Sequence, residues 1–429
     1  MGLSDSTWAG NASTAAETID PVLHQGFVAP SYSALKPYLI ASLIGYVTLC
    51  TALRHRRITN FQKKMGFTDR ASLSLMSVYQ AQAIARNMYY WEFPLFYDVS
   101  LRIALFRTYT VENVARVLAN YSDLKDLKTS SKRYEDTAIL YGCFAHYDPA
   151  SDEFLKAVAR MNYLHSPYVK SGKILDEDFL YVLWASMAAP VSFVSMYEWR
   201  SLTPMEHAAQ GTLWKHIGDL MGIDYNKVMG KDKWADGIEF MDEVTEWASG
   251  YEDKYMKPLP EVRRIGSVLM ELLAGAYPKF AKSTVDVGVK VLMGERMRHA
   301  FGLSTPGLLQ THLVYSALFF RQLVMRHFTL PRMFALKNLS EPDAQTGRIK
   351  HYLYLKDPWY NPVTIWTRWG PEAWLNWSLG TPIPGDQALM PQGFLWQDLG
   401  PEKRMGTGVA ELQNTDHLAQ YRSVHDSPF

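Results

Sequence analysis

The sequence is poor in cysteine and lacks several well-known catalytic motifs. Its 429 residues include two cysteines, Cys50 and Cys143, and no Cys-x-x-Cys pair. A disulfide framework and a cysteine-built zinc site therefore lack their ligands, and a reducing compartment is the expected environment. The chain also contains no GxGxxG, GxxxxGK(S/T), GxSxG or HExxH segment and no pair of Glu-x-x-His segments. Dinucleotide-binding, nucleoside-triphosphate-binding, serine-hydrolase, zincin and di-iron bundle functions have no local support.

An excess of charge of either sign is also absent. The chain has 44 Lys and Arg against 43 Asp and Glu, so no basic field attracts a nucleic-acid backbone. Hydrophobic residues make up 48% of the chain and charged residues 20%, which excludes a chain that is disordered as a whole. We therefore expect a large apolar core and no nucleic-acid partner.

The N-terminal part is typical of a membrane anchor. Residues 1–30 contain no Lys or Arg, unlike the basic start of a cleavable signal peptide. An uncharged run, "PYLIASLIGYVTLCTAL", then covers residues 37–53. As a helix it is about 25 Å long, which suits a thin bilayer such as that of the endoplasmic reticulum (ER). The sequence predicts a transmembrane helix over 37–53; the alternative is a buried core helix with a basic end.

The charges that flank this run predict its orientation. Lys36 precedes it, whereas Arg54, Arg56 and Arg57 follow it directly. Because positive charge is retained on the cytosolic side, we expect residues 54–429 to be cytosolic and the protein to be a single-pass ER membrane protein.

The segment before the anchor is then expected in the ER lumen. Residues 1–36 are predicted to form a flexible lumenal tail rich in Ser, Thr, Ala and Gly. Asn11 stands in the sequon "NAS", where a lumenal location permits glycosylation. The protein is therefore a candidate glycoprotein.

A second uncharged run, residues 179–197, is predicted to be a core helix. Asp178 and Glu198 flank it in place of basic residues, and Pro190 interrupts it. A proline that breaks backbone pairing is better tolerated among neighbouring helices than in lipid.

Helical periodicity continues from about residue 70, and alternating strand-like runs are scarce. In "HYDPASDEF", Pro149 and Ser151 indicate a helix start and hence a helical hairpin. The predicted fold class is all-α, with one helical domain behind the anchor. The Trp- and Pro-rich segment at about 357–400 is interpreted as a lid on the core, with an aromatic belt at the membrane surface as the alternative.

One polar helix face breaks the apolar pattern. In "SSKRYEDTAILYG", Arg133 and Thr137 are four residues apart and share a face. The alternative to a functional role is an ion pair of Arg133 with Glu135, Asp136 or a neighbouring carboxylate.

A single histidine stands on the neighbouring predicted helix. His165 continues the i, i+4 line of Ala157 and Met161, and the following Ser166 and Pro167 predict the helix end there. A lone histidine on an apolar face is usually a hydrogen-bonded core residue, which is the alternative to iron ligation.

Four blocks carry a resemblance to a known family: "SSKRYEDTAILYG", "VARMNYLHSPYVKSGKILDEDFLY", "YEWRSLTPMEHAAQGTLWKHIGDLMGI" and "WTRWGPEAWLNWSLGTPIPGD". They resemble the ER-bound oxygenases of the mpaB type, from the mycophenolic acid pathway, a family related to bacterial rubber oxygenase (latex clearing protein). The resemblance covers nearly the whole chain. It implies a globin-related, all-helical fold around one haem b and O2-dependent cleavage of an isoprenoid C=C bond in a specialised metabolite.

The resemblance also implies roles for residues. His165 matches the axial ligand of the haem iron, and Arg133 and Thr137 match the distal Arg-x-x-x-Thr of rubber oxygenase. Rubber oxygenase also has a distal glutamate, but here Glu112 lies at an offset that does not fix the match, so that role is not assigned.

The expected chemistry follows from these residue types. Iron on one imidazole leaves a position for O2; Arg133 would stabilise developing negative charge, and Thr137 would donate or relay a proton. A lipophilic prenyl or terpenoid substrate needs an apolar tunnel, which residues 179–197 and the tryptophans of 359–377 are expected to line. The alternatives are a haem enzyme that hydroxylates, epoxidises or cleaves a non-isoprenoid metabolite, and a membrane-tethered scaffold without a cofactor.

The predicted topology is testable in intact microsomes. Added protease should digest the bulk of the chain, because the basic flank directs it to the cytosol, while Asn11 should carry glycan. Protection of residues beyond 60 would reverse the orientation and make the sequons at Asn120, Asn338 and Asn376 the usable ones.

Overall fold

The computed structural model describes residues 32–387, 389–413 and Phe429. Two units are distinguished, Met1–Leu49 and Cys50–Phe429. The glycosylation candidate Asn11 and residues 1–31 of the predicted lumenal tail lie outside the described residues.

Helices dominate the described residues, which confirms the predicted all-α class. In chain order their bounds are α1 (Tyr32–Met65), α2 (Arg70–Leu73), α3 (Val78–Asn87), α4 (Pro94–Thr108), α5 (Glu112–Tyr121), α6 (Leu127–His146), α7 (Asp152–Lys170), α8 (Asp176–Tyr197), α9 (Pro204–Met221), α10 (Tyr225–Met229), α11 (Gly237–Tyr255), α12 (Pro260–Gly275), α13 (Lys282–Phe301), α14 (Leu308–His327), α15 (Ile365–Trp369), α16 (Pro371–Ser378) and α17 (Val409–Gln413). A π-helical turn, Met88–Glu92, joins α3 to α4. Extended pairing in the described part is limited to isolated bridges such as Val111 with Met256.

Helix α1 contains the predicted anchor and is longer than expected. It begins at Tyr32, so residues 32–36 of the predicted tail are helical, and it ends at Met65 rather than Leu53. Large apolar side chains of its first part are exposed, with Tyr38 at 72% and Ile44 at 61%. A buried core helix would hide them, so α1 is a candidate membrane anchor.

Helix α8 is the second apolar run, and it is a core helix as predicted. Tyr181 and Val194 are fully buried, and the helix packs on α4, α9 and α11. Pro190 lies inside the helix without ending it.

The predicted helical hairpin is formed by α6 and α7, which pack on each other. Ser151 caps α7, because its hydroxyl accepts a hydrogen bond from the Phe154 amide at 3.3 Å. The predicted end of α7 at His165 is wrong, since the helix continues through Pro167 to Lys170. A proline in the last turn removes one backbone donor, and few turns remain for it to disrupt.

The interpretation of the Trp-rich segment as a lid is wrong for most of its indoles. Trp366, Trp369, Trp374 and Trp377 on α15 and α16 are between 54% and 78% exposed. Two tryptophans of the segment, Trp359 and Trp396, do pack in the core. Short helices broken by prolines bury too little surface to cover a core.

A close contact between glycines holds α9 against α11. A Cβ atom at Gly211 would lie 1.8 Å from the Gly237 carbonyl oxygen, and one at Gly237 would lie 2.2 Å from the Ala208 carbonyl oxygen. Only glycine permits this backbone approach. Helix α9 belongs to the wall of the cavity described below, so the contact also sets the position of that wall.

Gly211→Ala should therefore lower the free energy of unfolding by about 1–3 kcal/mol, because the helices must separate. Gly250→Ala on α11 is the matched control: it meets no atom within 4 Å and should raise stability by about 0.5–1 kcal/mol through helix propensity. Denaturant unfolding in detergent measures both. Equal effects of the two variants would contradict the close-contact interpretation.

Candidate functional site

An apolar cavity of about 210 Å³ lies between the helices of the second unit. Six consecutive helices, α4 to α9, each contribute apolar side chains: Leu105, Val114, Leu140, Met161, Phe179 and Ile217. A C-terminal segment, Gly400–Arg404, supplies a further part of the wall. The expected lining by residues 179–197 is confirmed for Phe179, Val182 and Leu183, whereas the tryptophans of 359–377 do not belong to the described lining.

The cavity brings together the three predicted site residues. Arg133 and Thr137 lie on its α6 wall, and His165 lies on its α7 wall. Sequence spacing placed Arg133 and Thr137 on one face of a helix, and the packing of α6 on α7 adds His165 to them.

Thr137 holds the Arg133 side chain. The Arg133 guanidinium Nη1 donates a hydrogen bond to the Thr137 hydroxyl, and that hydroxyl donates to the Arg133 carbonyl oxygen at 2.9 Å. The hydroxyl proton is therefore directed at the backbone of α6. In this arrangement Thr137 orients the guanidinium, and the expected proton relay would first require the hydroxyl to rotate.

Arg133 has no carboxylate partner in the described part of the chain. Glu135 accepts a hydrogen bond from the Leu355 amide at 2.7 Å, and Asp136 pairs with Lys132 at 2.8 Å. The alternative of an ion pair between Arg133 and either acid is therefore wrong. A cation without a counter-charge in an apolar cavity is available to bind negative charge.

His165 is held as a neutral imidazole. Burial, and to a smaller extent the Arg133 guanidinium, lowers the pKa of His165 to about 4. The ring contacts Phe179 edge-on, with 5.4 Å between centroids, and its buried Nδ1 atom has no hydrogen-bond partner among the described residues. The alternative of a hydrogen-bonded core histidine is not supported at Nδ1. A neutral, incompletely bonded imidazole has a lone pair for a metal ion.

The described lining offers two carboxylates, and both are occupied. Asp136 is bound by Lys132, and Asp178 accepts hydrogen bonds from the Tyr251 hydroxyl at 2.7 Å and the Asn113 amide at 2.8 Å. Glu112 is outside this lining and pairs with Arg116 at 2.8 Å. No catalytic base is therefore assigned.

The Lys132–Asp136 pair binds the C-terminal wall of the cavity. Lys132 Nζ donates to the carbonyl oxygens of Asp398 at 3.2 Å and Gly400 at 3.1 Å, while Asp136 accepts from the Gly400 amide at 2.9 Å. The Tyr360 hydroxyl fills the other Asp136 oxygen at 2.8 Å. The side-chain hydrogen bonds that these two residues make outside the pair are thus directed at the C-terminal part of the chain.

Arg160 of α7 fastens the same segment from the other helix. It is fully buried, and its guanidinium donates to four backbone carbonyls between 2.6 and 2.9 Å, those of Gln397, Leu399, Arg404 and Thr407. The cation is neutralised by peptide dipoles rather than by an acid. Side chains of α6 and α7 therefore bind the C-terminal segment that completes the cavity wall.

Curated proteins of Penicillium are similar to the chain over most of its length. The ER-bound oxygenase mpaB' of Penicillium brevicompactum is 36% identical over 403 residues, which cover 92% of this chain and 95% of that protein. The ER-bound oxygenase mpaB of the same species is 36% identical over 370 residues, covering 85% and 88%. The chain belongs to the mpaB-type family of ER-bound oxygenases. A third relative, the ER-bound oxygenase mpaB of Penicillium roqueforti, is 35% identical over 286 residues, which cover 64% of this chain and 96% of that protein.

The family resemblance seen in the sequence is thereby confirmed. No protein-family model matches the chain, and no solved structure matches it either. The globin relation expected for an mpaB-type oxygenase therefore stays a prediction.

The residues of this mpaB-type chain that bind the C-terminal part of the cavity wall were not predicted from the sequence. Lys132 and Asp136 lie inside the block that carries the resemblance, and their i, i+4 spacing in a helix was a usable signal. Arg160 gave none, because its partners are carbonyls more than 230 residues away.

Proposed function

We propose that this protein is a membrane-anchored, haem-dependent oxygenase that cleaves a C=C bond in an apolar, prenyl or terpenoid, chain of a specialised metabolite. One observation carries the proposal: a neutral imidazole with an unpartnered nitrogen and a guanidinium without a counter-charge line the same apolar cavity. The relatives are named ER-bound oxygenases, which supports an oxidoreductase that uses O2 and a small molecule.

The donor set suits haem. His165 is the one histidine among the described lining residues, and no three His, Cys, Asp or Glu side chains in the described part of the chain come together as a metal site. A single imidazole fits a metal whose other ligands come from a macrocycle. Lys173, Lys403 and Arg404 also line the cavity and would hold the propionate carboxylates.

Bound haem would supply the activation of O2. Around it, the Arg133 guanidinium would stabilise negative charge that develops on oxygen, and Thr137 would keep the guanidinium in place through its hydroxyl oxygen. The apolar walls from α4 to α9 would exclude water, which strengthens that electrostatic interaction.

The lining favours a hydrocarbon chain as substrate. The cavity surface is mostly apolar, its two carboxylates are occupied, and its basic side chains are assigned to haem and O2, so little remains to recognise a polar metabolite. A scaffold without a cofactor accounts poorly for an unpaired guanidinium beside an unpartnered imidazole, because both cost folding free energy.

We further propose that the protein is single-pass in the ER membrane with residues 54–429 in the cytosol. Helix α1 supplies the span, and Arg54, Arg56 and Arg57 supply the cytosolic flank. A prenylated substrate partitions into the bilayer, so an anchored enzyme meets it at high local concentration.

The cofactor assignment predicts about one haem b per chain and a Soret band in the protein purified from membranes. His165→Ala should lose the band, since the described lining holds no other histidine. Absorption spectra and a pyridine haemochrome assay measure both.

His299→Ala, which changes an exposed histidine outside the cavity, is the matched control and should keep the band. Full haem content in His165→Ala would refute the assignment of the ligand.

If Arg133 acts on bound oxygen, its removal should lower turnover without removing the haem. Arg133→Ala should keep most of the haem and lose about 2–4 kcal/mol of transition-state stabilisation, on the order of 10²–10³-fold in turnover per haem. Thr137→Val should lower turnover less, because the guanidinium remains but is no longer held. Turnover is measured under O2 with a prenylated aromatic compound, by mass spectrometry of the carbonyl products.

Arg116→Ala removes an arginine of an exposed ion pair and serves as the control with unchanged turnover. Near wild-type turnover per haem in Arg133→Ala would remove Arg133 from the site. Hydroxylated or epoxidised products from the wild-type protein would favour the alternative reaction.

A further inference from the structure

The second unit exposes a long apolar surface on α14 and the segment after it. We call residues 308–336 the α14 surface. No side chain of α14 is buried, Phe320 is 68% exposed, and Met333 and Phe334 are each 79% exposed. The other large apolar side chains exposed in this range are Leu308, Leu309, Leu313, Tyr315, Phe319, Leu323, Phe328, Leu330 and Leu336. A water-facing surface rarely gathers so many of them, and exposed apolar patches of this kind are typical of contact sites for a protein or a membrane.

The charge of the α14 surface indicates the kind of partner. Residues 308–320 contain no Asp, Glu, Lys or Arg, and residues 308–340 contain no acidic residue at all. Arg326 and Lys337 are exposed near its end. Apolar side chains bordered by basic ones complement acyl chains bordered by anionic lipid headgroups.

Two arginines that directly follow the predicted span donate hydrogen bonds to the α14 surface. Arg54 donates through Nε to the Thr329 carbonyl at 2.8 Å and through Nη2 to the Leu330 carbonyl at 3.2 Å. Arg57 donates to the Arg332 carbonyl at 2.9 Å. Basic residues directly after a membrane span lie at headgroup level. Residues 329–332 are therefore at that level if α1 spans the bilayer, and Met333 and Phe334 follow immediately.

We propose that the α14 surface is a second membrane-contacting element, which inserts its apolar side chains into the leaflet where the predicted span, residues 37–53, meets Arg54. The uncharged stretch 308–320 is about 20 Å long as a helix, too short to span a bilayer and suited to shallow insertion. The inference requires α1 to span the membrane and does not rest on haem or on the proposed reaction.

Depth-dependent quenching tests the contact in the full-length protein. The variants Phe320→Cys and Met333→Cys are labelled with an environment-sensitive NBD maleimide. They are reconstituted into nanodiscs of phosphatidylcholine and anionic phosphatidylserine, with or without doxyl-labelled lipid. The native Cys50 and Cys143 are buried, so the wild-type chain is the labelling blank. About a two-fold loss of fluorescence with doxyl lipid is expected at both positions, because insertion brings them to the acyl chains.

Leu75→Cys is the matched control. Leu75 is 78% exposed in the link between α2 and α3, outside the α14 surface, and its label should stay unquenched. Quenching at positions 320 and 333 no greater than at 75 would overturn the proposal.

A blue-shifted label that doxyl lipid does not quench, and that depends on the number of protein molecules per nanodisc, would overturn it in favour of a second copy of the chain. If the protein did not insert into nanodiscs, α1 would not be a membrane span, and the proposal, which requires that span, would be overturned. None of these results bears on haem content, which the absorption spectrum measures separately.

Discussion

The buried ion pair between Lys132 and Asp136 is the interaction on which the cavity depends. Removing two charges from water costs several kcal/mol each unless every remaining donor and acceptor is satisfied. Here the Asp398 and Gly400 carbonyls, the Gly400 amide and the Tyr360 hydroxyl satisfy them. The pair therefore joins α6 to the distant chain that completes the cavity wall, and it keeps Asp136 from neutralising Arg133.

Two adjacent cations of α6, Lys132 and Arg133, therefore have different roles. Lys132 is paired and buried for structure, whereas Arg133, one position along, has no acid partner among the described residues and lines the cavity. The same guanidinium lowers the pKa of His165 and so helps to keep that imidazole neutral. One cation therefore acts on both the cavity and the imidazole of the proposed haem site.

Sequence reasoning predicted what is local along the chain. The cap at Ser151, the buried α8 and the shared face of Arg133 and Thr137 each follow from spacing within one helix. The grip of Arg160 on the C-terminal carbonyls could not be predicted, because it depends on backbone geometry between segments far apart in sequence. The exposed indoles of α15 and α16 were misjudged, since composition does not tell whether an aromatic cluster faces a core or a membrane.

The segment that completes the cavity wall is synthesised long after helices α6 and α7, to which it binds. Gly400, which binds Asp136, follows it by 264 residues, and translation at 5–20 residues per second separates the two by on the order of 10 to 50 s. During that interval the C-terminal part of the cavity wall does not yet exist. Lys132 and Arg160 therefore lack their carbonyl partners. The cavity wall as described is therefore complete only in a chain that has been synthesised at least as far as Thr407.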